Sequence, residues 1–71
     1  MKATSEKTYD VFFNDNENSN NKGFAVSLEI AKSYIKSNNG TNESYFKDYK
    51  GGTVAIVCKQ TEETIFETEI L

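Results

Sequence analysis

Four groups of residues in this 71-residue chain could do chemistry. Glu67 and Glu69 stand two apart, which puts both carboxylates on one face of a strand, as a general acid and its partner would stand if a cleft enclosed them. Asp15 and Glu17, set among asparagines, offer the oxygen ligands that a calcium loop uses. Tyr45-Phe46-Lys47-Asp48-Tyr49-Lys50 interleaves aromatic rings with ammonium groups, as single-strand nucleic-acid binders do. Cys58 is the lone thiol. The missing types narrow these options, because the chain has no His, Arg, Trp or Pro. Acid–base work at neutral pH would fall to carboxylates, Lys and Tyr, all of which need large pKa shifts for it.

Taken singly, most of these signals thin out. An exposed strand face on so small a domain supplies no cleft for Glu67 and Glu69, so no catalytic residue is assigned. A calcium loop counted from Asn14 has Ser19 where Gly is needed and Ala25 where a bidentate Glu is needed, so no metal site is expected. Cys58 ends the apolar run Val54-Ala55-Ile56-Val57-Cys58 and reads as a small buried hydrophobe with no sequence neighbour to lower its pKa. Gly51-Gly52-Thr53 precedes a strand instead of opening a helix, so it reads as a turn and not a phosphate loop; no cofactor is implied.

The elements that must position these residues follow from periodicity. Tyr9, Val11 and Phe13 alternate with Thr8, Asp10 and Phe12, which predicts a first strand. The Asn- and Ser-rich stretch 14–23 reads as a loop. Ser27 is a suitable helix N-cap and Glu29 suits the first turn. Leu28, Ala31 and Ile35, widened by Ile30 and Tyr34, form an apolar stripe opposite Lys32, Ser33 and Lys36. Asn38-Asn39-Gly40 ends the helix, with Gly40 as the left-handed residue after the cap. Residues 41–52 form a long connection containing Tyr45, Phe46 and Tyr49. Strands at 53–59 and 64–70, joined by a reversal at 60–63, complete the chain. The expected architecture is α+β: a single β-α-β-β domain over 1–71, a three-stranded sheet with one helix on one face and 1–6 as a disordered tail. The last two strands form a hairpin; the first two can pair either way.

One helix covers one face of a sheet. The covered face should hold Tyr9, Val11, Phe13, Val54, Ile56, Cys58, Phe66 and Ile70. The opposite face then receives Phe12, Ala55, Val57 and Ile65, bordered by Thr8, Asp10, Lys59, Glu67 and Glu69, an apolar patch large for a small monomer. The aromatic segment 45–49 could fold under the sheet and cover it, a second copy could bury it in a homodimer, or a different protein could dock there. A register error of one residue would exchange the two faces.

Charge adds a direction. Net charge is −3, split as −2 over 1–21, +2 over 22–50 and −3 from 51 onward, where Lys59 alone opposes Glu62, Glu63, Glu67 and Glu69. Such a dipolar molecule presents an acidic C-terminal hairpin to a basic partner. Segment 1–7 is polar and no window approaches a membrane span, so the expectation is a soluble cytoplasmic protein with no membrane or small-molecule partner.

Gly23-Phe24, Glu29, Ala31-Lys32, Tyr34-Ile35, Gly51-Gly52-Thr53-Val54 and Ile56-Val57, followed by an acidic hairpin, resemble a diffuse class of small βαββ-type proteins of bacteriophages and other mobile elements. The resemblance carries over no site residue. It implies a bacterial host cell and a protein that acts by binding, such as an inhibitor of a host defence protein like a CRISPR nuclease. The expected function is therefore a non-enzymatic protein-binding module, with Phe12, Val57 and Ile65 as apolar anchors and Glu62, Glu63, Glu67 and Glu69 as the charged component. The alternatives are single-stranded nucleic-acid binding through Lys47, Tyr49 and Lys50, and a structural homodimer.

Overall fold

The computed structural model describes residues 7–71, so the expectation of a disordered tail at 1–6 lies outside the described residues. Along the chain come β1 (Tyr9–Asn14), β2 (Ser19–Asn21), α1 (Leu28–Asn38), α2 (Ser44–Asp48), β3 (Thr53–Cys58) and β4 (Thr64–Glu69). The class is α+β, with four strands and two helices where the sequence suggested three strands and one helix. The sheet is antiparallel throughout in the order β2-β1-β3-β4, so the long return after α1 brings β3 back against β1.

The two added elements come from the stretches read as connections. Asp15 accepts hydrogen bonds through Oδ1 from the N–H groups of Glu17 (2.8 Å) and Asn18 (2.6 Å), an Asx turn that reverses the chain. Ser19–Asn21 then pairs with Phe12, Phe13 and Asn14. In α2, Glu43 supplies the N-cap, its Oε1 accepting from Tyr45 N–H at 3.0 Å and Phe46 N–H at 3.3 Å. A helix of five residues has too few internal hydrogen bonds to persist alone, so packing must hold it.

Phe13 provides that packing. Its ring meets Phe46 edge-on at 5.0 Å between centroids, with Tyr45 at 5.1 Å and Tyr49 at 5.8 Å. Tyr34 of α1 joins through Phe46 at 5.7 Å, and Phe24 through Tyr34 at 5.1 Å. The Lys22 ammonium lies 4.2 Å from the Tyr45 ring centroid and closes the cluster. Val11, Val54, Ile56, Ala31, Ile35 and Ile70 fill the rest of the core. Aromatic segment 45–49 therefore sits on the same sheet face as α1, not beneath the sheet.

α1 matches its sequence signals. Ser27 Oγ accepts from Ile30 N–H at 3.2 Å, Glu29 lies in the first turn, and Gly40 follows the Asn39 cap at φ 85°. Ile30 is a correction, being 56 % exposed outside the packed stripe. At the sheet's base, Gly51 N–H donates to the Ile70 carbonyl and Ile70 N–H to the Gly52 carbonyl. A Cβ on Gly52 would be driven into the Asn14 carbonyl oxygen, a backbone atom that cannot swing aside.

Two outcomes follow from this packing. Gly52→Ala should lower stability by about 1–3 kcal/mol, the range for forcing extra volume into a packed site, read as a lower urea midpoint at unchanged slope. Tyr34 is pushed up from 10.0 to about 12, chiefly by burial and next by the Glu43 carboxylate. Its folded pKa lies above its unfolded one, so the contribution is complete below pH 10 and is lost as pH rises toward 12. Tyr34→Phe should flatten that part of the alkaline unfolding curve, measured by denaturant titration at stepped pH.

Candidate functional site

The antiparallel register assigns the second sheet face. Phe12 lies opposite Ala55 and Ala55 opposite Glu67; Asp10 lies opposite Val57 and Val57 opposite Thr64; Thr53 lies opposite Glu69. Because side chains alternate, Phe12, Val57 and Ile65 share the face that α1 and α2 leave open. Ile65 has no cross-strand partner, since the register steps from Ile56–Phe66 to Val57–Thr64 and leaves it as the extra residue of a bulge. Bulging tips it outward, and it is 44 % exposed, while Phe12 and Val57 are half-buried. The described residues extend 43 × 23 × 16 Å. The shortest dimension fits two layers at about 10 Å spacing and no third.

Three expectations about the faces need correction. Ala55 is only 4 % exposed, because its small side chain lies in the row between Phe12 and Glu67. Asp10 is no solvent border but 3 % exposed: Oδ1 accepts from Phe24 N–H (2.8 Å) and Val11 N–H (2.7 Å), and Oδ2 from Asn21 Nδ2 (2.8 Å). Those bonds draw 21–24 across one end of the face, and Lys59 Nζ pins it further by donating to the Phe24 carbonyl at 3.1 Å. Phe66 points to the α1 side yet is 36 % exposed, because α1 covers β1 and β3 and stops short of β4.

What stays open is a shallow depression of about 310 Å³ lined by Asp10, Phe12, Val57, Cys58, Lys59 and Glu62. Glu62, Glu67 and Glu69 bring carboxylates to this side of the sheet. Glu63 belongs to the same hairpin, where its carbonyl accepts from Cys58 N–H at 2.9 Å. Glu62 adopts φ 64°, in the left-handed region that a glutamate adopts only under strain. Cys58 is buried as expected, yet the hairpin supplies what its sequence neighbourhood did not reveal: the Thr61 hydroxyl, with the Thr61 and Gln60 backbone, holds the thiol below its ordinary value against the opposing effect of burial.

The nucleic-acid candidates divide. Lys47 and Lys50 are exposed, but Tyr49 is half-buried with its ring against Phe13, so its apolar surface is already engaged. Among the described residues no three His, Cys, Asp or Glu side chains gather as a metal cluster, and no helix is long and apolar enough to cross a membrane. Sequence reasoning missed Asn39, which it read only as a helix stop; no composition signal marks an amide that bonds across to the C-terminal strand.

Comparison with family models, curated proteins and solved structures finds no match to this chain. Its class therefore rests on the fold itself: a small α+β domain with a four-stranded antiparallel sheet covered on one side.

Strain at Glu62 gives this site a test of its own. Glu62→Asn, a residue that visits the left-handed region readily, should raise stability by about 1 kcal/mol, seen as a higher thermal midpoint.

Proposed function

We propose that this chain is a non-enzymatic protein-binding module acting through the open sheet face. One observation carries the reading: the outward-tipped, exposed Ile65 and the half-buried Phe12 and Val57 lie on one face beside the carboxylates of Glu62, Glu67 and Glu69. Apolar anchors rimmed mostly by carboxylates, with Lys59 turned to the Phe24 carbonyl, suit a partner with an apolar patch edged by Lys or Arg. The carboxylate pair most suggestive of catalysis, Glu67 and Glu69, lies exposed on the edge strand, where it can meet a partner's charges. A cytoplasmic setting, and the narrower role of a mobile-element inhibitor of a host defence protein, rest on the resemblance of the quoted residues and on nothing in the fold.

Affinity capture from bacterial lysate tests this with three baits: the native chain, Phe12→Ser, and Glu67→Lys with Glu69→Lys. Each is first shown to be folded by circular dichroism. A stoichiometric protein that survives nuclease and drops at least about tenfold with either variant, a loss of roughly 1.4 kcal/mol, is the expected result. Capture indifferent to both variants overturns the face. Capture abolished by nuclease shifts the function to Lys47 and Lys50, and a chain that captures nothing and sediments as a dimer is the structural homodimer.

A further inference from the structure

β4 offers something beyond its side chains. The opposite edge of the sheet, β2, is only three residues of Ser and Asn, whereas β4 is six residues long and, among the described residues, has no strand on its outer side. Hydrogen bonding fixes which of its backbone groups are free. Cys58 N–H donates to the Glu63 carbonyl and Ile70 N–H to the Gly52 carbonyl, each at 2.9 Å, so β3 residues in phase with Cys58 bond toward β4. Alternation along an antiparallel pair then turns the N–H and C=O of Glu67 and Glu69 outward.

Asn39 already occupies one end of this edge. Its Nδ2 donates to the Glu69 carbonyl at 3.0 Å, and its Oδ1 accepts from Leu71 N–H at 2.9 Å. A side-chain amide thus stands where the backbone amide of a neighbouring strand would stand. It demonstrates the pairing geometry and marks where an added strand must end. Beside it, the N–H and C=O of Glu67 have no backbone partner among the described residues.

Side chains select what can be added. Between α1 and β4 runs a groove of about 360 Å³ lined by Lys32, Ile35, Lys36, Asn39, Phe66 and Thr68. The Lys32 ammonium lies 5.9 Å from the Phe66 ring centroid. Glu67 and Glu69 project on the other side of the strand. A second copy is a poor occupant: antiparallel registers that bring residues 66–69 of two chains together set glutamate opposite glutamate, which destabilises a sheet.

We propose that the outer edge of β4 accepts, by strand addition, an extended segment of another protein that carries acidic or apolar residues toward the α1 groove and basic residues toward Glu67 and Glu69. This rests on the protein-binding reading above and assigns it a mode, in which main-chain pairing supplies affinity and the two rows of charge supply selection.

The probe is a blocked synthetic peptide, Lys-Val-Lys-Glu-Lys-Val-Lys, added to the 15N-labelled full chain. Controls are the same peptide N-methylated at its internal lysines, which keeps every charge but blocks pairing, and a scrambled peptide of equal composition. At about ten times its dissociation constant the alternating peptide should slow exchange of the Glu67 amide about tenfold, with neither control doing so. Equal effects from all three peptides, shifts confined to Phe12 and Val57, or no binding overturn the edge proposal while leaving the face to be judged by capture. A Glu67 amide protected without peptide in a chain that sediments as a dimer also overturns it, because a second copy then holds the edge.

Discussion

The burial of Phe13 is the constraint on which the structure turns. Its ring is fully enclosed, and the three rings against it come from a helix too short to form by itself and from that helix's C-cap, Tyr49. α2 exists because Phe13 gives it a surface, and Phe13 is buried because α2 arrives. The arrangement is mutual, so neither part has a local signature strong enough to stand alone. Glu43 links the parts by capping α2 while its other carboxylate oxygen lies 3.5 Å from the Tyr34 hydroxyl of α1.

This placement decides what the opposite face becomes. The chain has only one aromatic segment to spare, and Phe13 draws it to the side where α1 already lies. Second-face residues are therefore left to shelter one another, with partial help from 21–24 held on Asp10. That carboxylate works as an internal fastener: three donors converge on it, so its burial is satisfied rather than costly. Apolar residues remain uncovered where the fastener does not reach, at the β3–β4 end of the face.

Legibility followed the range of the interactions. α1 could be read with its cap and its stop, because Ser27, Glu29 and Gly40 act on neighbours within one turn. The alternation of β1 and β3 was visible for the same reason, and it placed Phe12, Val57 and Ile65 on a common face. β2 was not visible, since Ser19–Asn21 carries no β-prone residue and pairs only because Asp15 turns the chain beside an open edge. Phe66 shows the limit in another form: its face could be read, but its exposure depends on how far α1 reaches across the sheet. Asn39 bonds to residues thirty or more positions away, a relation that no window of sequence contains.

The position of β3 has a bearing on how the fold comes into being. It is the strand that both β1 and β4 need as a neighbour, yet it lies in the last third of the chain. During synthesis the earlier segments can make little more than the β1–β2 turn, because α1 has no sheet to rest on and α2 has Phe13 but no Val54 or Ile56 beside it. Order must then spread through the molecule in one concerted event once β3 is available, with non-local pairing setting its pace. A chain interrupted before β3 would be a set of unattached pieces, not a smaller version of this domain.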